Sequence, residues 1–213
     1  MGGVIFSFCC RTQVYNSTFY NNYVTRGVAG GGSADNGADA GGAIFSYYTL
    51  VIKNSTFSGN QSTGSGAAVV VYSDVGPPFA SANFTPNNTI IANNGADECF
   101  FRGTVNVEGK GNLIMNNGSG GGQFSPCPGV VTPADPQLQP LQLNSPGNTP
   151  TMAILPSSAA FNKADLQTSL PRDQRGIWRP QLGRPDIGAF EARGDGRLVW
   201  SGPACARCSD VPS

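Results

Sequence analysis

The side chains that could catalyse a reaction are few in this 213-residue chain and lie far apart along it. Histidine, the commonest general base and metal ligand, is absent. A glycoside hydrolase needs two carboxyl groups on one face, and a lyase needs calcium-binding carboxylates beside a basic residue. Asp97 and Glu98 are the only adjacent acids before position 130, and their context (Gly-Ala-Asp-Glu-Cys) is typical of a corner. We therefore predict that the protein is not an enzyme, and we keep polysaccharide lyase or hydrolase activity only as the last alternative.

The six cysteines are interpreted as structural. They are Cys9, Cys10, Cys99, Cys127, Cys205 and Cys208. An even number of cysteines in a charge-poor chain with several Asn-x-Ser/Thr sequences indicates an oxidising compartment. The candidate disulfides are Cys99 with Cys127 and Cys205 with Cys208, although connectivity cannot be derived from sequence. Haem attachment at the second pair would need a histidine at position 209, which is serine, and a zinc site would lack ligands.

A group of charged side chains lies towards the C-terminal end of the sequence. The candidate network comprises Arg172, Asp173, Arg175, Arg184, Asp186 and Glu191. Arginine forks could form a binding site for an anion or a sugar. Alternatively, arginine–carboxylate pairs could hold together a cap with little regular structure. We favour the cap, and we predict neither a cofactor nor a metal ion.

These residues must be positioned by a repeated structural unit, because the same short sequence motifs recur along the chain. Residues 41–47 repeat residues 2–8 at an offset of 39, and residues 54–60 repeat residues 16–22 at an offset of 38. Weaker copies occur at 66–72, 87–93 and 111–116. The spacing between copies varies because Gly-, Ala-, Ser-, Asp- and Pro-rich loops, predicted at 27–42 and 76–86, are inserted. Self-similarity at such periods is typical of a solenoid.

The apolar runs between the Gly and Asn residues are only three to five residues long and rich in β-branched and aromatic types, which favours strands over helices. We therefore predict an all-β, right-handed parallel β-helix over residues 1–125. Inward columns are expected from Ile5, Ile44 and Val69, and from Phe19, Phe57 and Ile90. Corners are expected at Asn22, Asn60, Asn93 and Asn116 and at the Gly41–Gly42 pair, since Asn and Gly tolerate left-handed backbone angles.

The composition of the sequence changes near position 126. Proline then recurs at short intervals, so residues 126–191 are predicted to form a Pro- and Arg-rich wrap and cap with little regular structure. Residues 192–213 are predicted to form a separate tail that contains the second cysteine pair.

Four blocks of the C-terminal half, in order, resemble the signature of the bacterial choice-of-anchor Q proteins. They are Asp135-Pro136-Gln137-Leu138, residues 148–156 (NTPTMAILP), residues 172–176 (RDQRG) and residues 184–191 (RPDIGAFE). The upstream phrases Gly41–Ile44 and Phe57–Asn60 are similar to repeats of polymorphic outer-membrane proteins. The resemblance implies a secreted or surface-held parallel β-helix of the pectate-lyase-like superfamily. The tail lacks the apolar stretch and basic end of a sorting anchor, which leaves the means of attachment open.

Composition limits the partners that the protein could have. Thirteen acidic and thirteen basic residues balance, whereas nucleic-acid binding requires a basic excess. No run approaches the eighteen apolar residues of a membrane span. We predict a secreted or cell-surface location, with the periplasm as a further possibility. Because Met1 leads directly into a repeat phrase, we expect either that the chain is a fragment of a longer precursor, which we favour, or that a partner covers its first coil.

The predicted function is a non-catalytic structural or adhesive β-solenoid that presents its faces to a glycan, a cell-wall ligand or a protein. Tyrosines could stack on sugar rings. The candidates are Tyr15, Tyr20, Tyr23, Tyr47 and Tyr48. The alternative is an accessory structural subunit of a larger extracellular or periplasmic assembly, in which a protein partner or preceding domain covers the N-terminal coil.

Overall fold

The computed structural model describes residues 3–27, 40–73, 81–95, 97–117 and 126–193, and within these ranges the chain forms strands, turns and irregular segments but no helix. The first repeat contains β1 (Ile5–Ser7), β2 (Thr12–Tyr15), β3 (Thr18–Tyr20) and β4 (Tyr23–Val24), and the second contains β5 (Ile44–Ser46), β6 (Leu50–Lys53), β7 (Thr56–Ser58) and β8 (Gln61–Ser62). The third contains β9 (Val69–Tyr72), β10 (Ala82–Asn87) and β11 (Ile90–Ile91), the fourth contains β12 (Cys99–Arg102), β13 (Val105–Val107) and β14 (Asn112–Ile114), and β15 (Val130–Thr132) follows. The all-β prediction is confirmed for the described residues.

The strands assemble into three main sheets, because each repeat contributes one strand to each sheet in the same order. The first sheet is β1-β5-β9-β12, the second is β2-β6-β10-β13 and the third is β3-β7-β11-β14-β15. A small fourth sheet pairs β4 with β8. Every pairing between these strands is parallel. Stacked parallel strands of this kind are consistent with a β-helix-like architecture.

The register of the sheets confirms one predicted column and shifts the other. In the first sheet, Ile5, Ile44 and Val69 are direct neighbours. In the third sheet, Phe19 lies beside Phe57, with ring centroids 4.6 Å apart and planes 2° from parallel. The next residue in that column is Ile91 and not Ile90, which pairs with Thr56. The two isoleucines are adjacent, so composition did not distinguish them, whereas strand pairing did.

Two apolar layers lie on opposite sides of the third sheet. Alternate side chains of all three main sheets meet in one buried cluster, which includes Ile44, Leu50, Phe57 and Phe84, each fully buried. The other side of the third sheet contributes Ile90 and Leu113 to a second buried cluster. The C-terminal segment completes it with Ala153, Ile154, Ala160, Ala164, Ile187, Phe190 and Ala192. The segment from 135 to 192 therefore packs against the outer face of the third sheet.

Three details refine the sequence-based boundaries. The loop predicted at 76–86 ends earlier, because Ala82–Asn87 is a strand whose Phe84 lies in the core. Val130–Thr132, within the predicted wrap, adds the fifth strand of the third sheet. The Gly41–Gly42 pair marks a close approach of two repeats: Gly41 has φ +70°, and a Cβ on Gly42 would collide with the carbonyl oxygen of Ala67. Cys205 and Cys208 lie outside the described residues.

Candidate functional site

Three asparagines at the corner between the second and third sheets attach the C-terminal segment. We name Asn16, Asn54 and Asn88 the corner asparagines; they have φ values of 44°, 45° and 50°. Such left-handed angles are tolerated by Asn better than by most residues. The three positions stack because they follow equivalent strands of successive repeats. Sequence analysis placed the corner residues elsewhere and missed this column, although Asn16 and Asn54 start the repeated phrase Asn-Ser-Thr-Phe.

Each corner asparagine binds a different part of the C-terminal segment. Asn16 Nδ2 donates to the carbonyl oxygen of Arg172 at 2.9 Å. Asn54 Oδ1 accepts a hydrogen bond from the backbone N–H of Leu170 at 2.9 Å. Asn88 Oδ1 accepts from the backbone N–H of Asp165 at 2.6 Å, and its Nδ2 donates to the carbonyl oxygen of the same residue at 2.9 Å. The segment therefore runs antiparallel to the order of the repeats.

A second column of asparagines, the amide ladder, lies after the third-sheet strands. It consists of Asn22, Asn60 and Asn94. Asn22 Nδ2 donates to Asn60 Oδ1 at 2.7 Å, and Asn60 Nδ2 donates to Asn94 Oδ1 at 2.8 Å. Two members of the ladder, Asn22 and Asn60, were predicted. Asn93 has the left-handed φ of 60° expected at a corner, but the ladder contact of the third repeat is made by Asn94.

The fourth repeat also departs from the predicted position by one residue. Asn117 and not Asn116 is the side chain that binds a neighbouring segment: its Oδ1 accepts from the N–H of Cys127 at 2.6 Å. The cause is the same as in the third repeat, because adjacent asparagines are equivalent in composition and only strand pairing decides which one turns inward.

The amide ladder ends on a buried carboxyl group. Asn94 Nδ2 donates to Glu98 Oε2 at 2.6 Å, whereas Glu98 Oε1 is buried and has no hydrogen-bond partner among the described residues. Glu98 is 1% exposed, and burial raises its pKa to about 7. Asp97 Oδ1 is also buried, and it has no hydrogen-bond partner among the described residues.

The cysteine pair that the sequence suggested is present. Cys99 and Cys127 form a disulfide with their Cα atoms 5.8 Å apart. Both residues belong to the inner core cluster. The disulfide therefore connects the fourth repeat to the segment before β15. Cys9 and Cys10 are free and exposed.

Four of the six predicted members of the charged network meet in a buried cluster, together with Arg179. Asp173 Oδ2 binds Arg175 Nη2 at 2.7 Å, and Glu191 Oε2 binds Arg179 Nη1 at 2.8 Å. Asp186 accepts hydrogen bonds from the backbone N–H groups of Asn162 and Ala192 at 2.7 and 2.6 Å. Burial raises the pKa of Glu191, and burial followed by the nearby Glu191 charge raises the pKa of Asp186 to about 7.

The two remaining members of the predicted network lie outside this cluster. Arg172 stacks on the ring of Trp178 at 3.7 Å and donates to the carbonyl oxygen of Gly176. Arg184 donates to the carbonyl oxygen of Ala164 at 3.1 Å. The buried carboxylates are oriented by backbone N–H groups and arginines, which is the arrangement of a structural cap.

The outer side of the second sheet is a different kind of surface. Its strands alternate, so the neighbours of the inward residues Leu50 and Phe84 point outward. The outward side chains that we name the polar face are Gln13, Tyr15, Lys53, Asn83, Thr85 and Asn106, and they surround the outward but buried Val51, which is 6% exposed between Gln13 and Thr85. All members of the polar face are exposed or half-exposed, and no apolar cluster of the described residues covers them. The four strands extend over three intervals of about 4.8 Å.

Side-chain contacts organise the polar face. Gln13 Nε2 donates to the Tyr15 hydroxyl at 2.7 Å, and Lys53 Nζ lies 5.9 Å from the Tyr15 ring centroid. Asn106 Nδ2 donates to Asn83 Oδ1 at 3.3 Å. Tyr15 as a whole residue is 39% exposed.

A cleft continues from the polar face towards the C-terminal segment. One part, of about 530 Å³, is lined by Thr85, Asn87, Glu108, Lys110 and Thr168 among others. The adjoining part, of about 350 Å³, is lined by Lys110, Lys163, Arg184 and Asp165. We name the second part the basic groove. Among the described residues its three cations form no ion pair, and Asp165 Oδ1 accepts hydrogen bonds from the N–H and hydroxyl of Thr168.

The chemistry available at the polar face and the basic groove is recognition by amides, hydroxyls, an aromatic ring and cations. Among the described residues, no group of three His, Cys, Asp or Glu side chains is placed to hold a metal ion. Nor do these residues include a helix that is long and apolar enough to cross a membrane. No protein-family model, curated protein or solved structure matches the chain. Function must therefore be inferred from these surfaces.

Proposed function

We propose that the protein is a non-catalytic, right-handed parallel β-solenoid of the extracellular space or cell surface, and that it adheres to an acidic glycan. The observation that carries this proposal is the difference between two outer faces. The third sheet is covered by the C-terminal segment, whereas the polar face of the second sheet is not covered by any apolar cluster of the described residues and leads into the basic groove.

The polar face supports sugar binding by its mixture of groups. Amide and hydroxyl side chains at Gln13, Asn83 and Thr85 can exchange hydrogen bonds with sugar hydroxyls. Tyr15 offers a rigid ring at low entropic cost, and its partner Gln13 holds the hydroxyl. Because the face repeats from strand to strand, it suits an extended polymer better than a compact ligand.

The basic groove supports a preference for an acidic polymer. Lys110, Lys163 and Arg184 outnumber the single carboxylate of Asp165 on its lining. Carboxylates or sulfates of a glycan would complement this charge. The extracellular location is supported by the Cys99–Cys127 disulfide, since such bonds persist in oxidising compartments.

Binding to polygalacturonate, alginate and a neutral glucan, measured by calorimetry at two salt concentrations, tests the proposal. The acidic polymers should bind and the neutral one should not, and added salt should weaken binding. Lys110→Ala should reduce affinity about tenfold, since a hydrogen bond to a charged group contributes about 1.5–3 kcal/mol. Arg26→Ala, which removes an exposed cation outside the groove, is the matched control.

Three outcomes would contradict parts of the proposal. Equal binding of neutral and acidic polymers would exclude the role of the basic groove. Absence of binding to every glycan would exclude adhesion to sugars. Unsaturated products released from the acidic polymers with calcium present would favour the lyase alternative.

A second candidate is an accessory structural subunit of a larger assembly. It is favoured by the first repeat, whose strands β1 to β4 each lie at the end of a sheet. Val4, Phe6 and Phe8 are 52%, 46% and 58% exposed beside these edges. Light scattering of the purified protein should then show a discrete oligomer, and Phe6→Ser should dissociate it. A monomer at all concentrations would contradict self-assembly.

A further inference from the structure

Two thiols meet at the corner between β1 and β2. Cys9 and Cys10 are adjacent in sequence, and both are exposed. The Sγ atoms are 3.1 Å apart, about 1 Å more than the S–S distance of about 2.05 Å in a disulfide. In extended backbone, neighbouring side chains point to opposite faces. Here Cys10 has φ 74°, and both sulfurs lie on the same side.

The surrounding contacts hold this corner in place. The hydroxyl of Ser7 donates to the carbonyl oxygen of Cys9 at 3.2 Å and accepts a hydrogen bond from the hydroxyl of Thr12 at 2.8 Å. The preceding residue, Phe8, packs against the ring of Tyr47 at 5.4 Å between centroids. The corner is therefore attached to both flanking strands, and the 3.1 Å between the two sulfurs is found on a backbone that these contacts hold.

We propose that Cys9 and Cys10 form a reversible thiol–disulfide exchange site that reacts with low-molecular-weight disulfides. One cysteine thiolate attacks the external disulfide, forms a mixed disulfide and releases one thiol. The other cysteine then attacks the protein sulfur of that mixed disulfide and releases the second thiol. The two cysteines lose two protons and two electrons, and the external disulfide is reduced to two thiols.

Geometry distinguishes the Cys9–Cys10 pair of thiols from the Cys99–Cys127 disulfide. Cα atoms joined by a trans peptide are about 3.8 Å apart, below the usual range of about 4.4–6.8 Å for disulfides. A bridge between Cys9 and Cys10 would therefore be strained and easily reduced. Cys99 and Cys127 have Cα atoms 5.8 Å apart and lie in the core. Cys9 and Cys10 therefore suit reversible thiol–disulfide exchange, whereas the Cys99–Cys127 disulfide suits stabilisation of the fold.

The test equilibrates the full chain in glutathione buffers of graded redox potential, traps free thiols by alkylation and maps disulfides by mass spectrometry. A bridge within the Cys9–Cys10 peptide should form at the oxidising end. It should open at a thiol-to-disulfide ratio at least about tenfold less reducing than the ratio that opens Cys99–Cys127. Cys9→Ser and Cys10→Ser should each accumulate a stable glutathione adduct, because the resolving thiol is missing.

The remaining outcomes overturn the proposal. These are two free thiols even at the most oxidising end of the buffer series, a stable glutathione adduct on the wild-type pair, and a bridge from either cysteine to Cys205, to Cys208 or to a second chain. An intact Cys99–Cys127 bridge in each variant verifies that folding is unchanged.

Discussion

Substituting Asn88 by alanine should detach the C-terminal segment from the corner asparagines. The side chain is fully buried and makes two short hydrogen bonds to the backbone of Asp165, at 2.6 and 2.9 Å, and a longer one to the Thr168 hydroxyl at 3.3 Å. Alanine can replace none of these contacts, and it must also adopt φ 50°.

The magnitude follows from these two losses. Each backbone group of Asp165 left without its partner costs about 1 kcal/mol, the lower end of the range, because Asp165 is half-buried. A left-handed conformation costs a residue with a Cβ about 1 kcal/mol. Asn88→Ala should therefore lower the free energy of unfolding by about 3 kcal/mol. Asn88→Gly, which accepts the backbone angle, should lower it by about 2 kcal/mol.

Urea denaturation monitored by fluorescence measures these differences, and limited proteolysis reports whether the C-terminal segment is released. Asn83→Ala is the matched control, since this asparagine lies on the polar face and, among the described residues, its side chain bonds only to Thr49 and Asn106, both at 3.3 Å. It should change stability by less than about 0.5 kcal/mol. A wild-type stability for Asn88→Gly would refute the reasoning, because the side-chain contacts would then contribute nothing.

Three further perturbations test the buried groups. The pKa of Glu98 is raised from 4.5 to about 7, so the folded state binds the proton more tightly, and this group should make stability fall by about 3 kcal/mol as pH rises from about 4.5 to 7. Asp186 and Glu191, whose pKa values are also raised, contribute to the same slope, so Glu98→Gln should reduce the difference in stability between pH 5 and pH 8 and not abolish it. Arg179→Met leaves the buried carboxylate of Glu191 without its cation and should cost about 3–5 kcal/mol by chemical denaturation, part of which Glu191→Gln in the same chain should restore; no recovery would contradict the pairing. Replacing Cys99 by serine opens a loop of sequence separation 28 to Cys127 and should cost about 3.5 kcal/mol, whereas an unchanged urea midpoint would contradict it.

Predictions that were displaced by one residue show where sequence reasoning stops. The repeated motifs predicted the parallel strands and the first-sheet column, because both depend on spacing and residue type, whereas Cys99–Cys127 was one candidate pair whose bond only the structure shows. Ile90 was chosen over Ile91, and Asn93 over Asn94, because each pair has the same chemistry at adjacent positions. A shift of one residue reverses the face on which a strand residue lies, so only the pairing with the neighbouring repeat decides.

The functional surfaces depend on placement to an even greater degree. Lys110 and Arg184 are far apart in sequence and line one groove only because the C-terminal segment crosses the corner of the repeats. The covered state of the third sheet and the open state of the second likewise follow from where that segment packs.

The sequence by itself determined the repeat, the strand-rich composition and the positions where glycine or asparagine permits a turn, since these depend on local sterics and hydrophobic periodicity. The tertiary structure alone decided which side chains share a rung, which face stays open and which cations lie together. The physical reason is that lateral pairing and packing join residues from different repeats, and the energies that select one register come from contacts that no single segment contains.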